Sequence, residues 1–206
     1  MKPMKRAIFG GSFDPVHNGH VRLVKSLCEA VMPDEVIVMP TGISPFKKDM
    51  KRRPASSADR LEMCRLAFAD MPRVTVSDYE VSRPEVSYTV DTVRHFRSLY
   101  PDDELYLLIG SDMLLTFDRW RKFEEILANC TLCAASRENA SRDLENLEKK
   151  AAELRRYGDV VIIKAEPFEV SSTEIREKIM KNSDISCYVP KNVVKYILEN
   201  NLYAKG

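Results

Sequence analysis

Gly10-Gly11-Ser12-Phe13-Asp14-Pro15-Val16-His17-Asn18-Gly19-His20 follows the short apolar run Arg6–Phe9 and leads at once into Val21, Leu23 and Val24 at helical spacing. A strand that ends in glycines and passes directly into a helix brings unpaired N–H groups and the positive end of a helix dipole to the edge of a sheet. This is a layout for an anion such as phosphate. It is neither the dinucleotide fingerprint G-x-G-x-x-G nor a P-loop, because the third glycine and the Gly-Lys-Ser/Thr ending are absent.

Outward from this turn, β-type runs alternate with helical patterns along the chain. The runs are Arg6–Phe9, Glu35–Met39, Val74–Val76, Leu105–Ile109, Thr131–Ala135 and Val160–Ile163. Between them Val21, Leu23, Val24, Leu27, Cys28 and Val31 recur at helical spacing, and Leu61, Met63, Cys64, Leu66, Ala67 and Phe68 do the same. Such alternation predicts an α/β fold: a doubly wound, mostly parallel sheet of Rossmann-like type, with helices crossing between strands. Residues 141–157 read as a charged amphipathic helix with Leu144, Leu147, Ala151 and Leu154 on one face. A last helix begins at Pro190 and carries Val193, Val194, Ile197 and Leu198. With 206 residues, one domain over 1–206 suffices, its C-terminal helical part spanning about 171–206.

Composition removes several function classes. The chain is 44% hydrophobic and 31% charged, which suits a packed core and excludes intrinsic disorder. Its formal net charge of +1 provides no global field for nucleic acid or an anionic membrane. Its longest apolar runs fall far short of the ~20 residues that span a bilayer, and Ala7-Ile8-Phe9 is too short for a secretory core. Five scattered cysteines, an odd number, fit free thiols in a reducing compartment, so the expected location is cytoplasmic. Cys130-x-x-Cys133 has no second pair to complete a zinc site and reads as part of a buried strand. The stretch Thr41–Ser57, with its prolines, Gly42 and the cluster Lys47, Lys48, Lys51, Arg52 and Arg53, reads as a mobile loop. That patch is small for RNA and lacks interleaved aromatics beyond Phe46.

Two of the chain's three histidines, His17 and His20, sit on the glycine-rich turn, where both rings can donate to phosphate oxygens. Isolated, an H-x-x-H pair is more often an ordinary surface or packed pair; the turn reverses that preference. A second anion-suited helix mouth follows the last strand in Val170-Ser171-Ser172-Thr173-Glu174-Ile175-Arg176, where Ser171 or Ser172 can cap the helix and Arg176 lies one turn inside. Gly110-Ser111-Asp112 stands at the carboxyl edge of the fourth strand, where open α/β sheets bind ligands. Asp112 can bind ribose hydroxyls or cap a short helix, and the single tryptophan, Trp120, is either an aromatic platform or core.

Together these residues resemble the nucleotidylyltransferase superfamily, marked by an H-x-G-H turn after the first strand and an S-S-T-x-x-R helix start near the end. The resemblance runs across nearly the whole chain. It is most specific to the bacterial nicotinate mononucleotide adenylyltransferases, through Gly10–Pro15, Glu80-x-x-Arg83, Ser87-Tyr88-Thr89, Ile109-Gly110-Ser111-Asp112, Trp120 and Val170–Arg176. It implies transfer of AMP from ATP to nicotinate mononucleotide, giving nicotinate adenine dinucleotide and pyrophosphate on the route to NAD.

The same resemblance implies roles for individual residues. His17, His20 and Arg176 would be catalytic. Gly10, Gly11, Ser12, Phe13, Gly110, Asp112, Ser172 and Thr173 would bind ATP; Lys47, Tyr88, Thr89, Trp120 and Arg137 would bind the mononucleotide. Mg²⁺ would enter on the ATP phosphates without a dedicated protein site. ATP and nicotinate mononucleotide would be the partners, with no nucleic acid or membrane, and a homo-oligomer is left open. One departure stands out: Pro45-Phe46-Lys47 replaces the Pro-His-Lys common in relatives, so a ring donor is missing. A pantetheine-phosphate adenylyltransferase, a cytidylyltransferase and a non-catalytic nucleotide sensor are the competing expectations.

Overall fold

Alternate residues of the first strand point to opposite faces, and both faces are apolar: Ala7 and Phe9 enter one core, Ile8 the other. The computed structural model describes residues 2–43, 55–136, 141–166, 168 and 170–204, with side chains from residue 144 onward in the helix that starts at 141. Lys47, Arg137 and Phe46 therefore lie outside the described residues, as does most of the stretch expected to be a mobile loop.

All six expected strands are present: β1 (Lys5–Gly11), β2 (Glu35–Pro40), β3 (Val74–Val76), β4 (Glu104–Gly110), β5 (Thr131–Ser136) and β6 (Val160–Lys164). They pair in parallel in the order β3-β2-β1-β4-β5-β6. The chain winds outward from β1 to β2 and β3, then returns to β1's other side with β4. The switch point, and hence the crevice that takes ligands in such sheets, lies at the carboxyl ends of β1 and β4.

Eight helices cover the sheet among the described residues. On one face lie α1 (Asn18–Val31), α2 (Ser57–Phe68), α7 (Ser172–Met180) and α8 (Lys191–Glu199). On the other lie α3 (Thr89–Leu99), α4 (Ser111–Leu114), α5 (Phe123–Asn129) and α6 (Ser141–Leu154). The helix expected to reach 157 stops at Leu154. Of its predicted apolar face Leu147, Ala151 and Leu154 are buried, whereas Leu144, one turn earlier, is exposed and outside the core. Ser57, expected to end the loop, begins α2, because Ser56 caps that helix by accepting from the Asp59 N–H at 3.1 Å.

Cys133 lies in β5, and Cys130 immediately precedes it with its thiol donating to the Ile126 carbonyl. Burial pushes both thiols up to about 12, so neither is a thiolate at neutral pH. Both cysteines are buried as expected, but only Cys133 is in the strand, Cys130 being the C-cap of α5. Among the described residues no helix is long and apolar enough to cross a membrane.

Candidate active site

Gly10, the last but one residue of β1, has nothing within 4 Å of where a Cβ would stand, so the strand opens onto free space. The chain then turns inward. Phe13 adopts φ 47°, in the left-handed region, and its buried ring lies edge-on to Phe9 at 5.3 Å and to His20 at 5.0 Å. These contacts hold an uncommon backbone conformation and set the direction in which the turn enters α1.

His17 is the N-cap of α1 and His20 its third residue, and their rings stack with centroids 3.7 Å apart. The His17 backbone N–H donates to His20 Nδ1 at 3.1 Å. A ring nitrogen that accepts carries no proton, so in this bond Nδ1 is the acceptor and Nε2 is the nitrogen placed to carry the ring proton. His17 is the more enclosed, at 5% exposure, and lies between the His20 ring and Phe168, whose ring is nearly parallel at 5.4 Å.

The second helix mouth meets the first. Ser171 caps α7 in a reciprocal box with Glu174, accepting from its N–H at 3.3 Å while the Glu174 carboxylate accepts from the Ser171 N–H at 2.8 Å. The Ser171 N–H, and the Ser171 hydroxyl that donates to the same oxygen at 2.7 Å, hold the Glu174 carboxyl below the usual range. Ser172 Oγ donates to the Pro15 carbonyl at 3.0 Å, and Arg176 Nη1 donates to the Asp14 carbonyl. Arg176 Nη2 also donates to Thr173 Oγ1 at 3.0 Å. The guanidinium is thus fixed on the turn that carries the histidines. Ser172 and Thr173, expected on the ATP side, hold this junction together in the present structure.

Asp14 is the centre of that junction and is 1% exposed. Sequence reading passed over it, and over Arg60, a buried residue of α2 whose Nη1 donates to the Ser12 carbonyl at 2.9 Å. Arg60 did leave a signal, since it stands three and four residues before Met63 and Cys64, on the face that packs.

Across the crevice, Ser111 opens α4 directly after β4, and Asp112 stands exposed in its first turn, with Gly110 as the cap. Asp112 is therefore not the helix cap. Tyr88 caps α3 without a side-chain bond, so the Thr89 and Val90 N–H groups head that helix. Glu80, 8% exposed, stands behind: Thr92 Oγ1 donates to its carboxylate at 2.6 Å, and Ser87 and the Gly42 backbone bond it too. Burial nevertheless raises its pKa above the usual glutamate value. Trp120 is half-buried against the second core, 5.0 Å from Phe117, and Arg121 lies over the Tyr88 ring at 4.5 Å. Trp120 is thus packed against this core and only partly exposed.

Comparison with known proteins gives the family and the fold. The cytidylyltransferase-like family model matches residues 8–178. A probable nicotinate-nucleotide adenylyltransferase of Clostridium botulinum (strain Loch Maree / Type A3) is 36% identical over 201 residues, covering 97% of this chain and 99% of that one. One from Clostridium tetani (strain Massachusetts / E88) is 34% identical over 199 residues, covering 97% and 98%. Among solved structures, the nicotinic acid mononucleotide adenylyltransferase of Plasmodium falciparum complexed with NaAD superposes with a TM-score of 0.77 at 22% identity, over 97% of both chains. At that identity the likeness establishes the fold.

Proposed function

The chain belongs to the cytidylyltransferase-like family and, within it, to the nicotinate-nucleotide adenylyltransferases; from that premise we propose how its residues transfer AMP from ATP to nicotinate mononucleotide. The products are nicotinate adenine dinucleotide and pyrophosphate. An acceptor phosphate monoester is largely dianionic at neutral pH, with a second pKa of ~6, and needs no protein base. One of its oxygens attacks the α-phosphorus of ATP, the bond from that phosphorus to the α–β bridging oxygen breaks, and pyrophosphate leaves with the electron pair.

The work of the protein is alignment and charge stabilisation. In-line alignment of two substrates supplies ~7–11 kcal/mol at best, and hydrogen bonds to charged groups ~1.5–3 kcal/mol each. His20 Nε2–H, the His17 ring and Arg176 hold the triphosphate and meet the charge that grows on the leaving oxygens. Gly10 to Phe13 and Gly110 admit the nucleotide close to the backbone, Asp112 accepts from the ribose, and Ser172 and Thr173 keep the α7 mouth on the turn. The N–H groups at the start of α3, at Tyr88 and Thr89, receive the ring carboxylate, and Trp120 stacks on the pyridine. Lys47 and Arg137 are assigned to the mononucleotide phosphate on the resemblance alone.

Mg²⁺ would enter this site on the ATP phosphates, beside the N–H and guanidinium donors of His17, His20 and Arg176. It would neutralise charge on the departing pyrophosphate.

The observation that carries this reading is the bond from Arg176 to the Asp14 carbonyl, which joins the two anion-suited helix starts over one sheet edge. The test is pyrophosphate release with Mg-ATP and, in turn, nicotinate mononucleotide, nicotinamide mononucleotide and phosphopantetheine. Turnover is expected with nicotinate mononucleotide. Release with phosphopantetheine alone, or nucleotide binding without release, would replace this reading with another member of the superfamily or with a sensor.

A further inference from the structure

Far from the first turn in sequence, α8 packs beside α2, where Tyr196 Oη donates to Asp59 Oδ1 at 3.0 Å. The chain then leaves α8 through Asn201 at φ 50° and Tyr203 at φ 62°, both in the left-handed region. That conformation is uncommon for an aromatic residue and calls for something that holds it. The Tyr203 hydroxyl reaches back 189 residues and donates to Asp14 Oδ1 at 2.8 Å. The Ala55 N–H donates to the same oxygen at 3.1 Å.

Asp14 Oδ2 is treated differently. It is buried and has no hydrogen bond among the described residues, and Arg176 Nη1 stands 3.7 Å away. With one oxygen saturated, the carboxylate attracts the guanidinium without forming the two parallel bonds that an Arg–carboxylate pair ordinarily makes. Burial and Asp14 raise the Tyr203 phenol above its usual value, so it remains the donor at all working pH. The apolar part of Tyr203 packs against the first core, a role that phenylalanine would fill equally; what the hydroxyl adds among the described residues is its bond to Asp14.

We propose that Tyr203 is a positioning residue for adenylyl transfer: its hydroxyl holds Asp14 Oδ1, which keeps the carboxylate from capturing Arg176 and leaves that guanidinium turned to the triphosphate. This rests on the reading of Arg176 given above. Without the hydroxyl, Asp14 rotates, pairs with Arg176 in bidentate fashion and withdraws a donor from ATP.

The experiment compares wild type with Tyr203→Phe, alone and in an Arg176→Gln background, by calorimetric titration with ATP and with AMP. Tyr203→Phe is expected to weaken ATP about tenfold while leaving AMP within about twofold, the cost of one charge-assisted bond to the outer phosphates. In Arg176→Gln the same change should be silent, because the group it acts through is gone. Equal weakening of ATP and AMP, no weakening, or an undiminished loss in Arg176→Gln would overturn the proposal. Wild type that binds ATP but transfers to no acceptor removes only the functional reading, whereas wild type that does not bind ATP removes both.

Discussion

Replacing Thr92 by Val removes a single hydroxyl from a site 3% exposed and leaves its shape intact. The lost bond is the 2.6 Å donation to the buried Glu80 carboxylate. Such a bond to a charged group contributes ~1.5–3 kcal/mol, and the methyl that replaces the hydroxyl returns about 0.8 kcal/mol. The expected net cost at pH 8 is thus about 1–2 kcal/mol. The pH dependence follows from Glu80, whose carboxyl is raised by burial and pulled back by its donors, Thr92 first among them. The folded state binds that proton more tightly than the unfolded one, so stability falls as pH rises from the ordinary glutamate value, about 4.3, through the folded value. Removing Thr92 Oγ1 raises the folded value further, and the mutant loses more over that window. At pH 4 the acid is mostly neutral in both states, the bond contributes only ~0.5–1.5 kcal/mol, and the net cost shrinks to under about 1 kcal/mol. Urea unfolding of both proteins between pH 4 and 8 measures this difference, and other titrating groups cancel from it. A cost that is flat with pH, or larger at pH 4, would refute the account of Glu80. Because Glu80 also bonds Ser87 and Gly42, beside the start of α3, the KM for the mononucleotide should rise while that for ATP does not.

Gly19→Ala places a Cβ 2.6 Å from Phe168 Cδ1 and 2.9 Å from His17 Nδ1, against a helix-propensity gain of about 1 kcal/mol. Stability by urea unfolding should stay near wild type while turnover falls at least about tenfold; unchanged turnover would mean that the His17 ring position is not used. Gly158→Ala meets the Leu127 carbonyl oxygen at 2.2 Å, a backbone atom that cannot swing aside, and should cost about 1–3 kcal/mol with kcat and both KM values kept. Trp120→Ala should raise the mononucleotide KM at least about fivefold and lower stability by about 1–3 kcal/mol, and a loss of stability alone would leave only its packing role. His20→Ala should lower kcat on the order of a hundredfold with little change in the mononucleotide KM; equal kcat would remove the Nε2 donor from the chemistry.

The sheet was legible because its central strands β1, β2, β4 and β5 are apolar runs buried on both faces and its edge strands β3 and β6 are short β-branched runs, a signal that depends only on neighbours in sequence. Thus β1, β2, β4, β5 and β6 appear within two residues of the expected ends, and β3 at its expected ends. The two helix mouths were legible for the same reason, since glycines, cap residues and histidines cluster within a few positions. Asp14 and Tyr203 were not, because their value lies in contacts across 41 to 189 residues that no local spacing encodes; the spacing of Arg60 marks its packed face but not its partner 48 residues away. Phe13 was legible as a motif residue but not as a left-handed hinge, since its conformation is held by Phe9 and His20 rather than by its own preference. Trp120 stood between two readings because one aromatic at one position has no period; only its contact with Phe117 and the second core shows which flank is packed.

The joining of the two helix mouths follows from where α1 lies. Though α1 connects β1 to β2, it packs over β5 and β6, on the far side of β1. Its N-terminus is therefore carried toward the carboxyl end of the last strand, although β4 and β5 separate that strand from β1. The chain leaving β6 reaches the first turn within a few residues: Phe168 stacks on His17, Ser172 bonds Pro15 and Arg176 bonds Asp14. An α1 laid over β2 instead would leave the guanidinium three strands from the imidazoles, with the same motifs and no shared ligand. The crossing of that one helix, set by Leu23, Val24 and Leu27 entering the first core, brings two separate sequence motifs into one place at the carboxyl edge of the sheet.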